Sequence, residues 1–313
     1  MGNRRGLRSG PTPNATVAVP LHTISSPVSF IKTSSPHDPA IQVVRPGTKL
    51  PGLSVEELKL LREKQARLTS TASATLASVP SDNHIRNTLE STLIFAQYEA
   101  GTAVCVDAAG WILTCAHCFG DDEEEYRATN KRRWLLYYTG LAVQVECREW
   151  DPQRDLALLK VIAIESNNTY IGDVPVFPFI SLSTTKFSYK MPILCIGQPG
   201  RDDLESTSER RTKYNLIEVS QGTFQGMVRG ANPQDNSEIG TLMHDAWTYW
   251  GHSGAPLLRR ADGTLIGLHS SWDDKTAMRH GVPAVAIREF LLKNLPAAVQ
   301  PSPSRAEINT PKD

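Results

Sequence analysis

The sequence predicts an all-β fold with helical segments at its two ends, on the basis of three observations. Short apolar runs of strand length recur between residues 91 and 272. Turn signals separate several of these runs, and the Asp262-Gly263 pair between two of them is typical of a β-hairpin. Residues 166–190 combine an Asn-Asn pair with two prolines, which is the composition of a connection, so they divide the strands into two groups.

Composition places the chain among soluble globular proteins. It has 313 residues, 40% of them hydrophobic, which is enough to bury a core in about two domains with tails. Lys and Arg together total 33, and so do Asp and Glu, so the formal net charge is zero. A neutral chain disfavours a general nucleic-acid or anionic-membrane partner, and neither is predicted.

The two ends of the chain, residues 1–50 and 297–313, are predicted to be disordered tails. The first contains many prolines, serines and threonines and few large apolar side chains. Such a segment buries too little surface to offset the entropy lost on ordering.

An intracellular location is predicted, in the cytoplasm or nucleus. No apolar N-terminal segment has the length and flanks of a signal peptide, and five cysteines are an odd number, which indicates reduced thiols. A mitochondrial location is the alternative, because Arg4, Arg5 and Arg8 precede the first acidic residue, Asp38. Frequent prolines disfavour the amphipathic helix of a mitochondrial presequence.

Neither a metal nor an organic cofactor is predicted. Cys115 and Cys118 lie on either side of His117, but their spacing matches no common zinc pattern, and no second close pair completes a site.

Residues 51–90 are predicted to form a helical extension. Ser54 and Glu57 have the spacing of a capping box, so a helix should begin there and run to about Leu68. Its apolar stripe is expected to pack on the body of the protein. That stripe consists of Val55, Leu58, Leu61 and Leu68. A second short helix is predicted near residues 82–89.

Strands follow from about residue 91, and a closing helix ends before Pro296. A hairpin broken at Ala109-Gly110 carries residues 101–117 and leaves His117 at a strand end. The acidic residues 121–125 are predicted to form a loop after it. The other predicted strands cover residues 91–96, 134–138, 141–147, 156–162, 192–197, 217–224, 226–228, 255–258 and 264–272.

Ser253 is the candidate nucleophile. It lies in Gly251-His252-Ser253-Gly254, where the glycines allow a tight turn, so the amides of Gly251 and Ser253 could both reach a developing oxyanion. An ordinary turn that leads into a strand is the alternative for this segment alone.

Three motifs together resemble one family. They are Thr-Cys-Ala-His ending at His117, Asp-Leu-Ala-Leu-Leu beginning at Asp155, and Gly-His-Ser-Gly-Ala-Pro around Ser253. In this order they resemble the trypsin-like (chymotrypsin-fold) serine proteases, over roughly residues 91–295. Further matches favour the HtrA/Deg-like branch, without its PDZ domain, because the sequence stops at Asp313. Those matches cover residues 196–200, 220–222, 245–246 and 263–267.

The resemblance implies two antiparallel β-barrels with the active site between them, in a protease domain over residues 91–296. Barrel one would cover about residues 91–165, and barrel two about residues 185–285.

The resemblance also implies roles for the site residues. His117 would be the general base, Asp155 its orienting carboxylate and Ser253 the nucleophile, with the Gly251 and Ser253 amides as the oxyanion hole. Asp151 competes with Asp155, but it precedes a proline, as turn residues do, and lacks the apolar run that follows Asp155.

The family's specificity pocket would be lined here by Trp247, Ser270, Ser271 and Trp272. With one indole at the floor and another at the edge, the pocket is expected to favour a small or medium apolar side chain before the cut. Three nearby acids leave an alternative open, because any of them that turned inward would favour a basic residue. They are Asp245, Asp273 and Asp274.

The predicted function is a serine endopeptidase that acts on protein or peptide substrates through an acyl-enzyme intermediate. The alternative is a catalytically silent scaffold of the same fold that binds extended peptides, although all three triad positions are filled. His252 stands where zymogen members of the family have an aspartate, so activity without N-terminal processing is expected. The oligomeric state is not predicted.

Overall fold

A computed structural model describes residues 26–32, 41–97, 101–167, 173–202 and 211–296. Most of the predicted N-terminal tail and all of the C-terminal one therefore lie outside the described residues. Four helices are α1 (Val55–Ser78), α2 (Asn83–Ser91), α3 (Glu123–Ala128) and α4 (Ala284–Asn294). The strands are β1 (Ser29–Lys32), β2 (Gln42–Val44), β3 (Thr92–Phe95), β4 (Thr102–Asp107), β5 (Trp111–Thr114), β6 (Arg132–Tyr137), β7 (Ala142–Asp151), β8 (Leu156–Glu165), β9 (Asp173–Val176), β10 (Pro192–Gly197), β11 (Glu218–Met227), β12 (Leu242–His244), β13 (Pro256–Arg259), β14 (Leu265–Trp272) and β15 (Arg279–Pro283).

The predicted fold class is confirmed, because two antiparallel barrels account for most of the sheet. Barrel one runs β8-β5-β4-β3-β6-β7 and closes where β7 pairs with β8. Barrel two runs β10-β11-β12-β15-β14-β13 and closes where β13 pairs with β10. Closure leaves neither sheet with a long open edge.

Alternation of side chains along β3 shows that the wall of barrel one lies between two apolar cores. Leu93 and Phe95 point into the barrel interior, where they pack in one apolar cluster. Ile94, which points the other way, belongs to the cluster that includes the buried α1 residues Leu61 and Leu68. Successive side chains of a strand face opposite sides, so a strand that is buried throughout serves both cores.

The capping box is confirmed, since the Ser54 hydroxyl accepts from the Glu57 amide and the Glu57 carboxylate accepts from the Ser54 amide. The stripe prediction is right for Leu61 and Leu68, which are buried at 0 and 1% exposure, and burial of each contributes roughly 1.5–3 kcal/mol. It is wrong for Val55, which is 79% exposed.

Helix α1 also continues ten residues beyond the predicted end, to Ser78. Nothing in residues 69–78 breaks it, since they contain neither glycine nor proline. Hydroxyls bond back to carbonyls of the preceding turn, as Thr71 does to Arg67, and Ala72 and Thr75 are buried. The extension therefore packs as part of the folded body of the protein.

The predicted disordered tail is wrong over residues 29–32 and 42–44, which form strands. β1 pairs antiparallel with β9, and β2 adds parallel to β8. Val28 and Val44 are buried, so these short apolar pieces find a core although the segment as a whole is dominated by prolines and hydroxyl residues.

Other departures are local. The two strands predicted over residues 217–224 and 226–228 are one strand, β11 (Glu218–Met227), in which Gly226 has φ +100° at a bulge rather than at a break. The predicted acidic loop contains helix α3, because Asp122 caps the Glu125 amide and acidic residues are favourable in a first helical turn. The short strands β9, β12 and β15 were not predicted.

Candidate active site

The candidate residues lie at the ends of strands from both barrels. His117 is in a 3₁₀ turn, Ala116–Phe119, directly after β5, and Asp155 directly precedes β8. Ser253 is in the loop that leads into β13 of barrel two. His117 and Ser253 line the same cavity, of about 450 Å³.

His117 and Asp155 are hydrogen-bonded through both side chain and backbone. The imidazole Nδ1 lies 2.9 Å from Asp155 Oδ1 and 3.1 Å from Oδ2, and the His117 amide donates to Oδ1 over 3.2 Å. The competitor Asp151 accepts instead from the Arg154 amide and guanidinium. Asp155 is 5% exposed and has φ +52°, a left-handed conformation that aspartate tolerates better than most residues.

Ser270 has a contact that the sequence reasoning missed. Its hydroxyl donates to Asp155 Oδ2 over 2.6 Å, so the buried carboxylate accepts hydrogen bonds from both barrels. A buried charge is stable only when its acceptor sites are satisfied in this way.

The pair is polarised toward an ionised carboxylate. Burial alone would lower the pKa of His117, but the hydrogen bond and charge of Asp155, with a smaller effect of Asp121, outweigh it and raise that pKa above 6.5. Burial would raise the pKa of Asp155, but the His117 and Ser270 contacts outweigh it and lower that pKa.

Two backbone amides in the loop that carries Ser253 have no acceptor among the described residues. The His252 amide donates to Tyr249 O and the Gly254 amide to His269 O, whereas those of Gly251 and Ser253 donate to no acceptor within the described residues. Both of these residues line the cavity. Gly251 has φ +95°, a conformation that glycine adopts without strain. The arrangement can donate two hydrogen bonds to an oxygen bound there.

Thr102 at the start of β4 holds this loop onto barrel one. Its amide donates to Ser253 O over 3.0 Å, and its hydroxyl donates to Gly251 O over 3.1 Å. The same hydroxyl accepts from the Gln198 amide of barrel two. A side chain at Gly254, which has φ +82°, would collide with Thr102 O and the Thr114 hydroxyl. The loop is therefore fixed by close backbone packing between the barrels.

All four predicted pocket residues, Trp247, Ser270, Ser271 and Trp272, line the cavity. Of the three acids, Asp245 turns outward to Thr223 and Gln225, and Asp273 bonds Thr276. Asp274 lines the cavity and is exposed.

His269 and Arg279 are among the polar lining residues that sequence reasoning missed. Arg279 sits opposite Trp272 in one strand pair and opposite His244 in another. The only signal in the sequence is an Arg-His pair that precedes an apolar segment, and without the strand register it does not indicate a pocket.

His252 is fully buried, and its Nδ1 lies 3.0–3.1 Å from the backbone of Tyr249. Burial, and to a smaller extent the charge of Arg279, lower its pKa to about 4, although the Tyr249 bond opposes this. The imidazole is therefore neutral at pH 7.

One group of potential metal ligands occurs within the described residues: Cys115, His117 and Asp155, whose donor atoms lie within 4.8 Å of one another. The Cys115 thiol donates to His269 O, and burial together with Asp155 raises its pKa well above 9.0. Zinc requires a thiolate and usually four ligands, so the group fits a histidine–carboxylate pair better than a metal centre.

All five cysteines are free thiols. Among the described helices, none is long and apolar enough to cross a membrane.

Comparison with known proteins finds one family model and a solved structure that match the chain. The chain is similar to the serine endoprotease from Yersinia pestis in its crystal structure, with a TM-score of 0.48 and 20% identity over 71% of this chain and 70% of that one. No curated protein sequence matches the chain. The model of the trypsin-like peptidase domain matches residues 101–268, more than half of the chain. The chain therefore belongs to the trypsin-like peptidase family.

Proposed function

We propose that the protein is a serine endopeptidase that hydrolyses peptide bonds through an acyl-enzyme intermediate. The observation that carries this proposal is the His117 imidazole, held by Asp155 on one side and lining one cavity with Ser253 on the other. A histidine that is held by a carboxylate and shares a cavity with a serine can act as the general base for that hydroxyl, which supports the proposal.

The proposed reaction begins with attack of Ser253 Oγ on the substrate carbonyl carbon, while the hydroxyl proton passes to His117 Nε2. Asp155 keeps Nδ1–H directed at itself and stabilises the imidazolium. The imidazolium then gives its proton to the leaving amine as the C–N bond breaks, which leaves an ester on Ser253. A water molecule, deprotonated by His117, attacks that ester. The C–O bond to Ser253 then breaks, His117 returns the proton to Ser253 Oγ, and the carboxylic acid is released.

The free amides of Gly251 and Ser253 would donate to the oxyanion of each tetrahedral intermediate. Donors that are already fixed in place need no reorganisation when the charge develops, and one such bond contributes about 10²–10³-fold to turnover. The anchoring of this loop by Thr102 supports that role.

An extended peptide is the proposed substrate. The segment Ser270–Trp272 pairs with β15 along one edge, whereas pairing with β13 ends at Leu268. The other edge of the segment is unpaired among the described residues, next to Ser253 in the cavity lining. A substrate strand can add to such an edge through main-chain hydrogen bonds. An intracellular site of action, with protein or peptide substrates, stays a prediction.

The test is a fluorophosphonate probe on the purified protein, with the adduct located by mass spectrometry. We expect one adduct, on Ser253, that is lost in Ser253→Ala and strongly reduced in His117→Ala. The matched control is Ser181→Ala, an exposed serine outside the site. A protein that binds peptides but forms no adduct would be the silent scaffold.

A further inference from the structure

The cavity lining includes a cation, Arg279, that has no charge partner among the described residues. Arg279 is partly buried, and its Nε is fully buried and donates to no acceptor. Within the part of the chain that the structure describes, Arg279 forms no ion pair. Desolvation of a guanidinium is unfavourable unless an anion or acceptors compensate for it.

The nearest titratable neighbours do not compensate for this charge. Burial first, then the positive charge of Arg279, lower the pKa of His244 to about 3. Burial first, then the nearby His244, His252 and Arg279, hold the pKa of His269 well below 6.5. Both imidazoles are thus neutral at pH 7. The Asp245 carboxylate accepts a hydrogen bond from the Thr223 hydroxyl. Asp274 is exposed, so water screens its charge.

A second donor can reach the same space. His269 is 6% exposed and lines the cavity, and its Nδ1 lies 3.1 Å from His244 Nε2. Its other nitrogen, Nε2, makes no hydrogen bond within the described residues. When His244 Nε2 carries the proton of their shared bond, His269 Nε2 carries a proton too and is a donor.

Resting on the proposed function, we propose that this cavity takes the acidic side chain of the residue before the cut, glutamate or aspartate, with Arg279 as the specificity-determining cation and His269 as a hydrogen-bond donor. A peptide whose carbonyl lies at Ser253 places that side chain in the cavity that Arg279 and His269 line. The carboxylate supplies the anion that Arg279 lacks.

The apolar walls do not reverse this preference. Trp247 and Trp272 can cover the methylene groups of a glutamate as well as those of a leucine. Adding or removing one methylene group changes specificity by only about 10–200-fold. A site built around polar groups discriminates more strongly against a ligand that leaves those groups unpaired. An apolar side chain would exclude water from Arg279 and would supply no hydrogen-bond acceptor in its place, so this proposal differs from the apolar preference expected from the two indoles alone.

The experiment compares tetrapeptide coumarin amides that differ only in the residue before the cut: Glu, Gln, Leu or Arg. Gln matches Glu in shape and lacks its charge, so we expect kcat/KM to be roughly 10²-fold higher for Glu than for Gln. Arg279→Met should abolish that ratio. The matched control Arg229→Met, at an exposed arginine, should leave both the ratio and the rate on the Leu substrate unchanged. A wild-type preference for Leu, or a Glu/Gln ratio that survives Arg279→Met, would overturn the proposal.

A binding measurement separates this proposal from the proposed function. Fluorescein-labelled peptides that end in Glu or Gln are titrated against Ser253→Ala by fluorescence anisotropy, and Glu should bind roughly tenfold or more tightly. Equal Kd values would refute the acidic pocket even if Ser253 of the wild type reacts with fluorophosphonate. Tighter Glu binding by a protein whose Ser253 does not react would retain the pocket and reject the peptidase. Arg279→Lys, which keeps the charge, should retain part of the preference and serves if Arg279→Met does not fold.

Discussion

Ser270 Oγ of barrel two lies 2.6 Å from Asp155 Oδ2 of barrel one, and this carboxylate also binds the ring and amide of His117. The orientation of the imidazole therefore depends on both barrels. A misplaced carboxylate would allow the wrong tautomer of His117, with no proton acceptor directed at Ser253.

Replacing Ser270 by alanine should lower kcat by roughly tenfold, the effect of losing one hydrogen bond to a charged group. KM for a Leu substrate should change little. Steady-state kinetics test this, with Ser181→Ala as the control. A change in KM alone would mean that Ser270 acts only as a pocket wall.

Ser253→Ala and His117→Ala should each lower turnover by roughly 10⁶, because nucleophile and base act as one unit. Asp155→Asn should cost less, about 10⁴. Turnover is measured by steady-state kinetics after contaminating peptidases have been excluded. Circular dichroism checks that each variant is folded. Near wild-type activity in any of the three would remove that residue from the mechanism.

The pH profile should report His117. Catalysis needs the neutral imidazole, so kcat/KM should rise with pH through a limb above 6.5, since Asp155 raises the pKa of His117 despite burial. Asp155→Asn removes the raising influence and leaves burial, so the limb should move below 6.5. The profile of the fluorophosphonate labelling rate gives the same limb when turnover is slow. A limb that stays in place would assign it to another group.

As the pH is lowered, the fold should begin to lose stability at a higher pH than protonation of its carboxylates alone would cause. The folded-state pKa values of His244 and His252, at about 3 and about 4, and that of His269 are lowered by burial, so the unfolded chain binds more protons below pH 6.5. Each group then costs about 1.4 kcal/mol per pH unit between pH 6.5 and 5, and none above pH 7.

Urea unfolding at several pH values measures this slope. His244→Gln should reduce it by about one proton, whereas His84→Gln, at an exposed histidine, should leave it unchanged. Equal slopes in all three proteins would show that the buried imidazoles protonate without loss of structure.

Full-length protein, intact by mass spectrometry, should react stoichiometrically with an active-site titrant. A neutral, buried His252 cannot be the counter-ion of an inserted ammonium group, so cleavage of the N-terminus has no charge to satisfy near Ser253. Removal of residues 41–90 should instead lower Tm, because Leu61 and Leu68 pack in the core. Reactivity that appears only after proteolysis would contradict this account.

Local signals made much of the fold predictable. The capping box at Ser54 and the Asp262-Gly263 turn are each defined by neighbouring residues, and both occur as expected. The end of α1 was missed because hydroxyl residues look like helix breakers until Ala72 and Thr75 are known to be buried.

The pocket could not be read in the same way. Arg279 reaches the cavity because β15 pairs with both β12 and β14, a long-range register that no local pattern specifies. Sequence reasoning therefore found the two tryptophans, which the family resemblance places six residues before Ser253 and on the strand that follows it, and missed the cation.

The conformation of the loop that carries Ser253, in barrel two, depends on Thr102 of barrel one. The loop that carries Ser253 belongs by sequence to barrel two, but its carbonyl oxygens accept hydrogen bonds from Thr102 of barrel one. At Gly254 there is no space for a side chain between the loop and Thr102. Contacts with barrel one thus fix the conformation of the loop. A separately folded barrel two would contain Ser253 but would lack the contacts that hold its loop in this conformation. Exchange of one barrel for that of a relative would have to carry the matching half of this contact with it.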